Sequence, residues 1–356
     1  MKFYIETIGC QQNEYDALQL AIFLKSARMI EVDSPKNAEV FFILACSVRQ
    51  TAVDRIFGRV RNWAKNKKVI VTSCLTPEDQ KKIKEKGAYY WNFGDVKMLE
   101  KILDFRFNNL TTRLASGLPR RIQQFSNSTF VPIVSGCDNF CSYCIVPYLR
   151  GREKSRPISD IIEEVKRLIS YFSTAQYRSE KPEIILLGQN VNSYKYGFAK
   201  LLKILNDLPG EFKIRFLTNH PKDMTDDVIN AIATLPKIKK EIHLPLQSGS
   251  DKILKAMNRP YTAEEYLRLV KSLKSKVHKV KITTDIIVGF PGETEENFQK
   301  TVEVCKKVGF DLAYINKYSP RKRTAAYKLG DPISWHEKQR RWRILNVLIN
   351  KNPKDS

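Results

Sequence analysis

The sequence predicts an α/β protein in two parts, an N-terminal parallel-sheet α/β domain followed by a barrel or partial barrel of repeated strand and helix units. Three observations carry that expectation. Apolar β-type runs alternate along the chain with stretches of helical period, the pattern of a parallel sheet covered by helices. Three of the early runs, "KFYIETIGC", "VFFILAC" and "KVIVTSC", finish on a cysteine. A polar stretch without clear period, "ASGLPRRIQQFSNST" at 115–129, then separates them from six further runs.

The first run ends at Cys10 and is followed by "NEYDALQLAIFL", with Asn13 expected as N-cap and Tyr15, Leu18 and Ile22 at helical spacing. The second ends at Cys46 before the helical composition of "SVRQTAVDRIFGRVRNWAK". The third ends at Cys74 and leads into "LTPEDQKKIKEK", where Thr76 is the expected N-cap, Pro77 takes the first helical position and acids occupy the first turn. "AYYWNF" and "GDVKMLEKIL" add one more strand and helix, which closes a domain over 1–114 and leaves 115–129 as linker. All strand C-termini of a parallel sheet lie along one edge, where ligands bind. Cys10, Cys46 and Cys74 are therefore placed to converge. A single cysteine at such a place is more often a small buried hydrophobe, but three equivalent ones point to a shared site.

Beyond the linker, "TFVPIVSG" runs into "CDNFCSYCIVPYLRGREKSRP". Cys137, Cys141 and Cys144 are spaced C-x3-C-x2-C on an expected loop, since Gly136 precedes them and the next helix is expected only from about Ser159. Compact thiolate loops of this kind wrap iron-sulfur clusters or zinc. Structural zinc takes four ligands, and no fourth Cys or His lies nearby in sequence. A cubane on three thiolates leaves one iron open to a substrate. Seven cysteines, an odd count behind an opening without signal-peptide character, argue against a disulfide framework. Cys305 sits at core spacing with Phe298 and Val302 and is expected to be buried; His220, His278 and His336 show no metal-ligand spacing.

Five more runs, "PEIILLG", "FKIRFLT", "KEIHLPL", "KVKITTDIIVGF" and "FDLAYINKYS", read as strands two to six of a domain over 130–325. The helix "SDIIEEVKRLI" places Ile161, Ile162, Val165, Leu168 and Ile169 on one face. Function in such a barrel belongs at the strand C-termini. Polar residues gather there: Gly188, Gln189 and Asn190 after strand two, His243, Gln247 and Ser248 after strand four, and Asp285 with the "GFPGE" turn at Gly289 on strand five. The turn also reads as the entry to a helix capped by Thr294, and His243 equally as a satisfied strand histidine. Residues 326–356 form a basic tail, "HEKQRRWRILNVLINK", expected to pack as a helix through Trp335, Trp342, Leu345 and Leu348.

Sixty-one Lys and Arg against thirty-eight Asp and Glu leave a net charge of +23, which makes nucleic acid the leading partner class over a merely solvated surface. Candidate contacts are "GRVRNWAKNKK", "RGREKSR" and "SPRKR", Arg113 with the linker residues Arg120 and Arg121, and Lys338, Arg340, Arg341 and Arg343 of the tail. No apolar run is long enough to span a bilayer, so a cytoplasmic protein without a membrane partner is expected.

With these residues the chain resembles the radical S-adenosylmethionine enzymes, in which C-x3-C-x2-C ligates a 4Fe-4S cluster whose open iron binds the amino and carboxyl groups of S-adenosylmethionine. "GCQQNEYDA", "CSVRQTA", "GCDNFCSYCIVPYLRGREKSRP", "LLGQNVNSY", "HLPLQSGSDKILKAMNRPYT" and "DIIVGFPGETEENF" resemble the methylthiotransferases among them, and most the tRNA-modifying MiaB type, over residues 1 to about 325. The resemblance implies a radical SAM six-stranded partial barrel and a second 4Fe-4S cluster on Cys10, Cys46 and Cys74. It implies S-adenosylmethionine contacts from Gly188, Gln189 and Asn190 to the methionine part, and from Gln247, Ser248, Asp285 and Gly289 to ribose and adenine. The implied reaction adds a methylthio group to carbon 2 of isopentenyladenosine beside the tRNA anticodon, using two S-adenosylmethionine molecules. In that arrangement the sheet edge of the first domain caps the barrel mouth of the second. Implied partners are tRNA and an electron donor such as flavodoxin or ferredoxin, with the chain acting as a monomer.

Other subgroups act on threonylcarbamoyladenosine in tRNA or on an aspartate of a ribosomal protein; a non-catalytic metal-binding, RNA-binding protein is the alternative of another class. "GCQQNEYD" and "GQNVNSY" favour the isopentenyl reading. Three departures stand out: Ala45 and Gln12 where the family more often has Thr and Met, and "SPRKRTAA" where Gly usually precedes Thr. Relatives normally continue into a C-terminal TRAM barrel that grips RNA; too few residues follow 325 here, so that barrel is expected to be absent.

Overall fold

The computed structural model describes residues 1–48, 50–107, 128–172 and 181–350. The chain divides into two units, Met1–Ser126 and Asn127–Ser356. Most of the expected linker, including Arg120 and Arg121, lies outside the described residues, as does Arg113; the linker's last two positions, Ser128 and Thr129, begin a strand.

In the first unit the order is β1 (Lys2–Ile8), α1 (Gln11–Ser26), β2 (Ile30–Glu31), β3 (Val40–Cys46), α2 (Gln50–Trp63), β4 (Lys68–Cys74), α3 (Pro77–Glu85), β5 (Tyr89–Trp91) and α4 (Val96–Leu103). The strands form one parallel sheet in the order β2-β1-β3-β4-β5. The central strand explains its own sequence. Val40, Phe42 and Leu44 face one core with Leu20, Phe23 and Leu24 of α1 and Leu99 of α4, whereas Phe41, Ile43 and Ala45 face another with Ile56 and Val60 of α2 and Ile83 of α3. A strand covered on both faces reads as a continuous apolar run. Thr76 caps α3 as expected, its hydroxyl accepting from Asp79 N at 3.1 Å.

The helix expected to start at Asn13 starts earlier, with Cys10 as N-cap residue. Asn13 lies inside its first turn and is fully buried, because its amide is used on the sheet: Nδ2 donates to Ala45 O at 2.7 Å. The two-residue β2, absent from the sequence reading, makes only two residue pairs with β1 and carries no periodic signal.

The second unit runs β6 (Ser128–Pro132), β7 (Val134–Ser135), α5 (Val146–Arg150), β8 (Lys154–Ser155), α6 (Ile158–Phe172), β9 (Glu183–Leu187), α7 (Phe198–Asn206), β10 (Lys213–Phe216), α8 (Asp226–Thr234), β11 (Glu241–His243), α9 (Asp251–Ala256), α10 (Ala263–Lys276), β12 (Lys281–Val288), α11 (Glu295–Val308), β13 (Leu312–Lys317) and α12 (Trp335–Ile349). The six strands read from the sequence are β6, β9, β10, β11, β12 and β13. They form two three-stranded parallel sheets, β6-β9-β10 and β11-β12-β13, and Ile214 of β10 also makes a parallel bridge to Ile238, just ahead of β11. Within each sheet successive strands are neighbours. Thr294 caps α11 through Asn297 N, and Cys305 is buried within it. The cysteine loop is not helix-free before Ser159: α5 intervenes, with Pro147 in its first turn.

The last helix departs from expectation in its packing. Trp335 is 62 % exposed and Leu348 38 %, leaving Leu345 and the Trp342 indole, which donates to Ile315 O at 3.0 Å, to hold α12 on β13. Two cations offered to RNA are instead buried. Lys338 crosses Gly289, where a Cβ would stand 2.4 Å from its Cγ, and pairs with Asp331 while donating to Tyr318 O at 3.0 Å. Arg341 pairs with Glu293 at 2.7 Å and with Glu337 at 2.7 Å. Buried cations need such partners, and the carboxylates supply them. Arg340, although exposed, is paired with Glu295 and Glu337; Arg343 points to solvent.

Candidate functional site

In the first unit the three cysteines reach one sheet edge. Cys46 and Cys74 are the last residues of β3 and β4 and face each other in register. Ile8, the last residue of β1, pairs with Ala45, so Cys10, beyond the end of that neighbouring strand, stands just past the same line. Asn13 ties it there: besides the bond to Ala45 O, its Oδ1 lies 3.9 Å from Cys10 Sγ. Gly9 makes the approach possible, since a Cβ there would sit 2.3 Å from Asn13 Nδ2. Ser73 adopts a left-handed backbone with φ of 76°, a strained conformation for a non-glycine residue, immediately before Cys74. The buried hydroxyls of Ser47 and Ser73, beside Cys46 and Cys74, have no hydrogen-bond partner among the described residues.

In the second unit β7 and β8 pair antiparallel around the loop that carries Cys137, Cys141 and Cys144. Gly136 has φ of 75°, and a Cβ there would stand 2.2 Å from Arg152 O; only glycine lets the loop leave the hairpin this way. A segment far away in sequence clamps the loop. Ser142 N donates to Met257 O at 2.9 Å, Ser142 Oγ to Ala256 O at 2.8 Å, and Asn258 Nδ2 to Asn139 O at 3.2 Å and Phe140 O at 3.0 Å. Ala326 N closes a third side on Ser142 O at 2.8 Å. Burial pushes the Cys144 thiol up to about 12, with Cys141 and Cys137 close enough to add to the rise; Cys137 is raised for the same two reasons. Negative charge on Cys137 and Cys144 is thus disfavoured in a poorly solvated place beside other sulfurs. Ionising Cys137 and Cys144 here needs a strong cationic partner.

The polar residues read from the strand ends divide into two groups. Gln189 Oε1, Asn190 Oδ1 and Gln247 Oε1 are buried without a partner among the described residues, and so are Asn219 Oδ1 and His220 Nε2, which follow β10. Gln247 is left-handed with φ of 68°, held by Gln247 N on Asp285 O at 2.8 Å and Ile287 N on Gln247 O at 3.0 Å. Unsatisfied polar atoms and strain concentrated behind three neighbouring strands are the marks of a ligand site. The second group is already committed within the protein. Ser248 is fully buried, its hydroxyl accepting from Ser250 N at 3.2 Å; Gly289 N donates to Glu293 Oε2 at 2.6 Å; Asp285 Oδ2 meets His243 Nε2 at 3.0 Å. Gly188 takes Thr218 Oγ1 on its carbonyl at 2.7 Å, and a Cβ on it would press on Val134.

Sequence reasoning missed Asn219, and it passed over His220 for lack of ligand spacing. Burial, with Arg259 and Lys222 nearby, holds His220 down at about 2, so the ring is neutral. Glu153 was also missed inside a stretch read only as basic. It accepts from Ser193 Oγ at 2.7 Å, and burial raises its pKa, with Asp138 and Asp223 adding to the rise. Within that same stretch Arg156 is taken by Glu164 at 2.7 Å and Arg152 by Asp138 at 2.9 Å.

Among the described residues no three His, Cys, Asp or Glu side chains are grouped to hold a single metal ion. Thiolates that share a cubane sit on different irons and stand farther apart than the ligands of one ion. Comparison with known proteins decides the class. Residues 131–305 match the radical SAM superfamily, and residues 2–93 match the uncharacterized protein family UPF0004. The tRNA-2-methylthio-N(6)-dimethylallyladenosine synthase of Clostridium tetani is 39 % identical over 98 % of this chain and 81 % of its own length. That of Thermotoga petrophila is 40 % identical over 98 % and 81 %. The chain belongs to the radical SAM methylthiotransferase family.

Radical SAM membership implies a 4Fe-4S cluster and S-adenosylmethionine, and the first domain suggests a second cluster. Among solved structures, the radical S-adenosylmethionine methyltransferase TsrM of Kitasatospora setae, with cobalamin and a [4Fe-4S] cluster bound, aligns with a TM-score of 0.64. The alignment covers 92 % of this methylthiotransferase and 77 % of that chain at 11 % identity. The cobalamin-dependent radical enzyme OxsB aligns with a TM-score of 0.58 at 10 % identity, over 85 % of this chain and 51 % of its own. At such identities the likeness is one of fold. No described helix is long and apolar enough to cross a membrane, and among the described residues no strand follows β13.

Proposed function

We propose that this methylthiotransferase adds a methylthio group to carbon 2 of N6-dimethylallyladenosine, the isopentenyladenosine beside the tRNA anticodon. The observation that carries the reading is the presence of two separate three-cysteine sets, each beside strand ends of its own α/β unit, in a chain of this family. Cys137, Cys141 and Cys144 would hold the cluster at which S-adenosylmethionine binds, and Cys10, Cys46 and Cys74 the second 4Fe-4S cluster. When bound, the clusters and S-adenosylmethionine supply electron transfer, radical generation, sulfur and methyl group, chemistry that no side chain of the protein can perform.

The protein's own part is binding and orientation. Gln189, Asn190, Asn219, His220 and Gln247 offer the unpaired polar atoms that a polar cofactor would satisfy. The neutral His220 adds no charge beside a sulfonium. Glu153, next to Ser193 and the Asn190 loop, is the carboxylate available to an ammonium group. Asn13 and Gly9 fix Cys10 against β3, and the 256–259 segment fixes the loop of the other set.

The choice of tRNA as substrate rests on the names of relatives near 40 % identity and on the net charge of +23. Exposed bases such as Arg55, Arg61 and Lys65 on and after α2 fit a phosphate backbone, whereas Arg59 is engaged by Glu6 at 2.8 Å. The test is nucleoside mass spectrometry of tRNA from cells with and without the gene. Disappearance of 2-methylthio-N6-dimethylallyladenosine is expected; an unchanged nucleoside profile sinks the proposal, and loss of a methylthiolated threonylcarbamoyladenosine instead would move the chain to another subgroup.

A further inference from the structure

Arg259 is a buried cation, 7 % exposed, just past α9 in the "AMNRPYT" stretch. Its Nε donates to Tyr261 Oη at 2.9 Å and Nη2 to Pro245 O at 2.9 Å; Nη1 lies 3.5 Å from Cys141 Sγ. Among the described residues no carboxylate stands within ion-pair distance of it. An arginine cannot shed its charge, and an uncompensated buried charge is costly. The Lys338 and Arg341 cations of the same unit are buried too, but each has its carboxylate. What Arg259 faces instead is a cysteine whose two companions are also close by, so the anion that would neutralise it is the one assembled on those sulfurs.

We propose that Arg259 is a positioning residue for the cysteine-loop cluster, with its guanidinium donating to the Cys141 sulfur and raising that cluster's reduction potential. The inference rests on the reading that Cys137, Cys141 and Cys144 hold a cluster. The sign follows from charge. A reduced cluster carries one more negative charge than an oxidised one, so a fixed cation and an N–H donor at a ligand sulfur stabilise the reduced form more. Tyr261 and Pro245 hold the guanidinium in place. Asn258, the adjacent residue, is left-handed with φ of 56° and bonds the same loop, so one short segment both shapes the loop and charges it.

The test is an anaerobic redox titration followed by electron paramagnetic resonance, in full-length protein with Cys10, Cys46 and Cys74 changed to Ala, so that one cluster is read. Arg259→Gln should lower the ratio of reduced to oxidised cluster at fixed ambient potential at least tenfold, about 59 mV for a one-electron couple. Arg259→Lys, which keeps the charge, should recover most of that loss. A ratio within threefold of the parent for Arg259→Gln overturns the proposal, as does an Arg259→Lys value as low as that of Arg259→Gln. If Arg259→Gln fails to fold, Tyr261→Phe replaces it: freeing Nε should lower the ratio threefold or more, and no change overturns the role. Failure of the parent protein to load any cluster would instead refute the assignment of the three cysteines, which keeps the two failures distinct.

Discussion

The two cysteine sets come to their strand ends by different routes. In the first unit Cys46 and Cys74 are the terminal residues of adjacent strands, and the register of a regular parallel sheet puts them side by side. Little else is required beyond Asn13 to bring Cys10 onto the same line. In the second unit Cys137, Cys141 and Cys144 ride on a loop whose shape comes from a left-handed Gly136, a hairpin, and hydrogen bonds to residues more than a hundred positions away. One set is built by local period and the other by tertiary clamping, so the two should break differently.

The largest effect is expected at Gly136→Ala, where positive φ and a Cβ 2.2 Å from a carbonyl oxygen act together. Roughly 3 kcal/mol or more should be lost from the second unit, with its iron, as read by urea denaturation and iron analysis. Iron on the first set should persist; loss from both would break the comparison. Next comes Asn13→Ala, which leaves the buried Ala45 carbonyl without its partner at 2.7 Å. A cost of about 2 kcal/mol and depletion of iron from the first set alone are expected in the same assays.

Acid should act on the second unit. His220 is held at about 2 in the folded protein, against an ordinary value near 6.5. Below about pH 6.5 the unfolded chain takes up a proton that the folded one refuses. The His220 contribution to stability is therefore complete above pH 6.5 and falls as pH drops toward 2, at up to about 1.4 kcal/mol per pH unit. Denaturation midpoints between pH 7 and 5 should drop less steeply in His220→Gln. The smallest effect is expected at Thr76→Ala, which removes the α3 cap and costs about 1 kcal/mol without changing iron content. A loss of iron there would mean that the first set depends on more than strand register.

The same contrast decides what could be read from sequence. β3 announced itself because both its faces are buried, and the cysteine at its end was visible as the stop of an apolar run. Of the six strands of the second unit β9 shares that pattern, whereas β6, β10 and β12 alternate buried with less buried positions, a period of two that marks a strand in its own way. Asn13 was misread as a cap because its partner, Ala45 O, lies on another strand and leaves no local trace. Lys338 and Arg341 were read as free surface charges for a similar reason: their carboxylates sit at Asp331 and Glu293, and only the fold brings them together. The role of residues 256–259 was likewise hidden: Ala256 and Met257 hold the loop by backbone carbonyls, which need no side-chain pattern, and the loop atoms that Asn258 reaches lie more than a hundred positions away. Gln247 and Ser248 looked alike in sequence; one has a left-handed backbone and a buried unpaired side-chain oxygen, whereas the other has its hydroxyl committed to Ser250 N.

The most direct measurement is anaerobic reconstitution with iron and sulfide, followed by iron analysis and Mössbauer spectroscopy of the parent and of Cys10, Cys46 and Cys74 changed together to Ala. Two cubane clusters predict about eight iron atoms per chain, falling to about four in the triple variant, with the remaining cluster perturbed by added S-adenosylmethionine. A triple variant that keeps the full iron load would contradict the assignment of the second cluster to the ends of β1, β3 and β4.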